Sequence, residues 1–171
     1  NYWYDKPIFF YWELLAAFSL FGVTDFAARF FPALFGTLGL LLTYVFARRI
    51  YDERTASWST IILGTGVLYS VLAKLILTDM SLFVFFGGTL GAFFLGYYEQ
   101  RRGFFYIAYA FAGLGVLTKG PVGFLLPGLV ILVFLLIRRD LSAFGRIALP
   151  TGLLVFAAVC APWYLYMYFA H

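Results

Sequence analysis

Six stretches of this chain contain no Asp, Glu, Lys or Arg: residues 30–47, 55–73, 80–98, 103–118, 120–137 and 147–170. Each is 16 to 24 residues long, bracketing the roughly 20 with which a helix crosses about 30 Å of hydrocarbon. Together they take up 114 of the 171 residues. A water-soluble domain of this size has too little interior to hide so much apolar chain. With only 12% of its residues charged, it also lacks the polar surface to face water. The reading is all-α: a polytopic transmembrane helix bundle of about six spanning helices, forming a single transmembrane domain over residues 1–171.

The net charge of +4 raises the question of a nucleic-acid partner, and the placement of the charges answers it. Residues 48–54, 99–102 and 138–146 hold Arg48, Arg49, Arg54, Arg101, Arg102, Arg138, Arg139 and Arg146, eight cations in twenty residues. The alternate connections hold Lys6, Arg29, Lys74 and Lys119 over a longer total length. This asymmetry follows the positive-inside rule, which puts the arginine-rich loops in the cytoplasm and the lysines outside. The basic balance is topological, and no nucleic-acid partner is expected.

Residues 7–24 form an apolar segment interrupted by Glu13, preceded by Tyr2, Trp3 and Tyr4 and containing Tyr11 and Trp12. It is too short and too aromatic for a span, and rings of that kind prefer headgroup depth, so it is expected to lie along the outer interface. No basic leader or cleavage site precedes it, and the chain reads as a fragment of a longer protein. Cys160 stands alone in an apolar span, and His171 is the only histidine; no metal-ligand spacing is present. If a divalent metal takes part, its ligands come from elsewhere, and the cofactor stays unknown. The pairs Gly36 with Gly39 and Gly87 with Gly91 read as close helix packing rather than as phosphate loops.

Cytoplasmic Asp52, Glu53, Glu99 and Asp140 stand beside arginines and read as caps and surface pairs. The outer face differs. Asp5, Lys6, Lys74, Asp79 and Lys119 lie in turns that abut hydrocarbon, where an unpaired charge is expensive and often functional. The plainer alternative is that Lys74 pairs with Asp79 and that Lys119 reaches up to the headgroups. Three lysines at one interface suit a lipid whose phosphate sits at headgroup level, because an ammonium presents a compact charge to phosphate.

The order Tyr4-Asp5-Lys6-Pro7, Phe10-Tyr11-Trp12, Ala28-Arg29-Phe30-Phe31-Pro32-Ala33-Leu34, Ala47-Arg48-Arg49, Leu77-Thr78-Asp79-Met80, Leu117-Thr118-Lys119-Gly120-Pro121 and Ala161-Pro162-Trp163-Tyr164 resembles bacterial membrane glycosyltransferases of the GT-C class. The pattern is similar to the aminoarabinose lipid A transferases and to the dolichyl-phosphate-mannose protein mannosyltransferase family, and it runs through essentially the whole chain. The resemblance implies an enzyme of the bacterial inner membrane. It would move a sugar from a polyprenyl-phosphate-linked donor to a lipid, protein or glycan acceptor on the periplasmic or extracellular side.

The same resemblance implies roles. Lys6 would contact the carrier phosphate, with Lys119 supporting the same region and Lys74 near it. Asp79 would border the active-site cavity and orient acceptor or sugar. Asp5 matches the acidic residue before the family's lysine and would hold Lys6 or cap the interfacial helix. Tyr4 and Tyr11, with Tyr2, would line the sugar and prenyl contacts. The family's principal base lies upstream of the Asp-Lys-Pro motif, outside this sequence, so the chain alone should be inactive. The competing readings are a transporter or flippase of a lipid-linked precursor and a non-catalytic membrane scaffold. A transporter places its ionisable groups near the bilayer midplane rather than at one edge.

Overall fold

The computed structural model describes residues 7–170. Pro7, extended at φ −61° and ψ 159°, leads into α1 (Ile8–Phe21). At about 1.5 Å per residue these 14 residues reach about 21 Å, less than the hydrocarbon core. Gly22 ends the helix at φ 72° and ψ 174°, a region that only glycine enters freely. Thr24 then caps α2 (Asp25–Ile50), its hydroxyl accepting the Ala27 amide at 3.2 Å. Asp25 in the first turn and Arg48 and Arg49 in the last complement the helix dipole at both ends.

Asp52 caps α3 (Glu53–Thr65) by accepting the Thr55 amide at 2.6 Å, which holds its carboxyl below the ordinary value. The stretch expected to run unbroken over 55–73 is two helices. Gly66 is extended at ψ 125°, its carbonyl takes the Ser70 amide at 3.0 Å, and α4 (Val67–Leu72) restarts from there. Ser70 Oγ donates to the Gly64 carbonyl across the break, so that carbonyl remains bonded. After a turn over residues 73–78 come α5 (Asp79–Glu99), α6 (Arg102–Lys119), α7 (Val122–Ile137), a 3-10 turn (Leu141–Gly145) and α8 (Leu149–Ala170).

The chain packs as two units, one ending at Gly87 and the other beginning at Gly88. In the first, α1 docks through Phe9, whose ring stands edge-on to Phe85 at 5.1 Å and to Phe35 at 6.1 Å. Tyr69 joins α4 to α2 by donating to the Gly36 carbonyl at 2.6 Å. A Cβ on Gly36 would meet Ala73 at 2.9 Å, and one on Gly39 would meet the Tyr69 hydroxyl at 2.5 Å, so these two glycines do permit close packing. Gly87 makes only ordinary contact with Leu42.

In the second unit Ala92, Phe93, Phe105, Ala108, Leu135, Ala143 and Ile147 form the core. Asp140 links its loops, accepting Ser142 Oγ at 2.5 Å, Arg146 Nη2 at 2.6 Å and the Tyr97 hydroxyl at 2.9 Å. These bonds hold its carboxyl low, at about 2. Arg48 with Glu53 and Arg101 with Glu99 are the surface pairs read from the sequence.

Asp25–Ile50, Asp79–Glu99 and Leu149–Phe169 are long and apolar enough to cross a bilayer. Large apolar side chains face outward along the chain, with Leu68 72%, Leu154 70% and Phe169 81% exposed. Patches on that scale belong in lipid rather than water.

Candidate functional site

One end of the first unit gathers the start of α2, the 73–78 turn, the first turn of α5 and the flank of α1. Arg29, exposed in the second turn of α2, donates from Nη1 to the Lys74 carbonyl at 3.3 Å, tying helix to turn. Lys74 itself is exposed. Asp79 opens α5 half-buried, between Thr78 and Met80, both of which are buried. Tyr11 sits half-buried on α1, its ring edge-on to Phe10 at 5.7 Å.

The least foreseen residue is Glu13. It is 6% exposed, in a cleft walled by Phe10, Leu14, Ala28, Phe31, Pro32 and Ile76, and its Oε1 accepts the Ser81 hydroxyl from the first turn of α5. Burial pushes its carboxyl up to about 7, with the Ser81 hydrogen bond pulling the other way. The sequence shows the signal, a lone acid within an apolar segment, but not the partner, which lies 68 residues away.

Lys119 belongs to the second unit, exposed as the last residue of α6. Gly120 follows at φ 69° and ψ −152°, again a region essentially restricted to glycine, and its amide closes on the Val116 carbonyl at 2.8 Å. On either side of this turn the backbones of Gly115 and Gly123 touch: a Cβ on Gly123 would lie 2.1 Å from the Gly115 carbonyl carbon. The Lys-Gly-Pro motif thus sits at the tip of a hairpin that two glycines close.

Asp5, Lys6 and Tyr4, and Tyr2 with them, lie outside the described residues. Of the predicted site, the structure therefore places Lys74, Asp79 and Tyr11 in one unit and Lys119 in the other. Chemically, the first unit's end offers an exposed ammonium at Lys74, an exposed guanidinium at Arg29 and a half-buried carboxylate in the first turn of α5. Among the described residues no three or more His, Cys, Asp or Glu gather as a metal would require.

The chain is similar to known proteins. The chain is 32% identical over 168 residues to an uncharacterised protein of Aquifex aeolicus, covering 98% of this chain and 34% of that protein. It is 28% identical over 167 residues to an undecaprenyl phosphate-alpha-4-amino-4-deoxy-L-arabinose arabinosyl transferase of Aeromonas hydrophila, covering 94% of this chain and 30% of that enzyme. The crystal structure of ArnT from Cupriavidus metallidurans in the apo state matches with a TM-score of 0.90 at 32% identity, over 95% of this chain and 31% of ArnT. The same protein bound to undecaprenyl phosphate matches at 0.89, over 94% and 31%. The chain spans about a third of the length of these relatives, and its bundle is part of a polytopic GT-C membrane fold. The model of the dolichyl-phosphate-mannose-protein mannosyltransferase family matches residues 5–166, and the chain belongs to that family.

Proposed function

We propose that the full-length protein is a membrane glycosyltransferase that takes a sugar from a polyprenyl-phosphate carrier and passes it to a lipid, protein or glycan acceptor on the outer face. The observation that carries this reading is the match at 32% identity to an ArnT structure bound to undecaprenyl phosphate. In such a transfer the bond between the anomeric carbon and the phosphate oxygen breaks as an acceptor hydroxyl attacks that carbon. The leaving phosphate gains negative charge, and a fixed ammonium stabilises it most where water is scarce.

Lys6 is assigned to that phosphate, Lys119 and Lys74 to the surrounding field, and Asp5 to holding Lys6. Asp79 orients the acceptor or sugar, and Tyr4 and Tyr11 line the carbohydrate and prenyl contacts. The base that takes the acceptor proton is assigned to chain outside this sequence. Six spans, α1 at the outer interface and the arginine-rich loops in the cytoplasm complete the reading.

The test is to express the full-length protein in bacterial membranes and supply radiolabelled polyprenyl-phosphate sugars. The reading expects label to leave the carrier and appear on an acceptor. Label that crosses the membrane while still attached to the carrier refutes transfer and identifies a flippase. The sidedness has its own test, since cysteines replacing Lys74 and Arg101 should react from opposite sides of intact cells.

A further inference from the structure

Glu13 has no part in the chemistry proposed above, yet it is a buried acid in an apolar cleft that accepts a hydrogen bond from the Ser81 hydroxyl. Ser81 is the third residue of α5 and Asp79 the first. Within one helical turn, fixing the third residue fixes the rotation of the first about the helix axis. This turn needs fixing, because the opening amides of a helix have no carbonyl of their own helix to hold them. The Leu82 amide, bonded to the Thr78 carbonyl at 2.9 Å, makes the first regular helical bond. From the other side Arg29 holds the Lys74 carbonyl, so the segment carrying Asp79 is clamped before and after it.

We infer that Glu13 is a positioning residue: through Ser81 it sets the first turn of α5, and with it the place of the Asp79 carboxylate in the sugar-transfer site. The inference rests on the transferase reading for its consequence, although the clamp itself does not. Glu13 is suited to the task because its walls are apolar. Water that would compete for the Ser81 hydroxyl is excluded, and a lost acceptor leaves that buried hydroxyl without one. A glutamine at position 13 still offers an oxygen to Ser81; an alanine does not.

The experiment uses the full-length enzyme and two readouts. In steady-state transfer, Glu13→Ala should lower kcat by about tenfold or more with donor KM little changed, while Glu13→Gln stays within about threefold of wild type. Ser81→Ala should match Glu13→Ala, and the double variant should fall no further. In the Asp79→Asn background, Glu13→Ala should have almost no additional effect. An equal loss of kcat from Glu13→Ala in both backgrounds, or no rescue by glutamine, overturns the inference while leaving the transferase standing.

The second readout, hydrogen exchange across residues 78–84 in detergent, needs no activity. Glu13→Ala should speed exchange there and Glu13→Gln should not. Unchanged exchange in Glu13→Ala overturns the inference. A wild-type protein that moves no sugar refutes the transferase reading, and exchange alone then decides the clamp.

Discussion

Gly123→Ala tests how the Lys119 turn is built. The new methyl would sit 2.1 Å from the carbonyl carbon of Gly115 and 2.3 Å from its oxygen, with the Val116 amide nitrogen at 2.6 Å. Carbon atoms rest at roughly 3.5 Å, so the deficit is about 1.4 Å against backbone that has no rotamer to change. Helices α6 and α7 must separate along the hairpin, and overpacking of this kind costs about 1–3 kcal/mol, more where neither side can yield. Gly128→Ala in the same helix is the control. Nothing lies within 4 Å of its added methyl, and alanine favours helix over glycine by about 1 kcal/mol. Thermal unfolding of the full-length protein in detergent should place the Gly123→Ala midpoint well below wild type and the Gly128→Ala midpoint at or above it. Equal midpoints for the two variants refute the close glycine contact, and with it the account of how Lys119 reaches its turn.

Burial makes Glu13 a source of pH dependence. With its carboxyl raised from an ordinary value near 4.5 to about 7, its contribution to stability is full below pH 4.5 and lost as pH rises through 7, a change of up to about 3 kcal/mol. The elements around it carry Asp25 and Arg29 on α2, Lys74 in the turn and Asp79 on α5, and none of these lines its cleft. Glu13→Gln should therefore flatten the decline in unfolding midpoint between about pH 5 and about pH 8; a slope like wild type contradicts the burial. Asp79→Asn keeps size and helix start but removes charge, so turnover should collapse with expression and folding intact. Normal turnover over a range of donor concentrations would leave Asp79 as a helix cap only.

Most of the helices were legible because a spanning helix presents a long apolar run, and charges gather where a run ends. That is why Arg48 and Arg49 mark the end of α2 and Lys119 the end of α6. The break at Gly66 was not legible: a glycine inside an apolar stretch looks the same whether it sits in a helix, as Gly64 does, or interrupts one. Among the site residues, Lys74 and Asp79 stood out because charge at a membrane edge is costly. Glu13 carried the same signal, but its meaning depended on Ser81, and no local pattern pairs residues on different helices. Gly36 and Gly39 were recognised by spacing, whereas Gly115 and Gly123 lie on opposite arms of a hairpin, where no single-helix spacing applies.

The central proposal is that Lys6, the residue before Pro7 in the sequence, holds the phosphate of a lipid carrier while its sugar is transferred. Donor-dependent kinetics of the full-length enzyme with Lys6→Ala and Lys6→Arg test it most directly. A lost charge-assisted bond of about 1.5–3 kcal/mol should lower kcat/KM for the polyprenyl-phosphate sugar by roughly ten- to a hundredfold in Lys6→Ala. Lys6→Arg should retain part of that activity. Unchanged donor kinetics in Lys6→Ala would contradict the account.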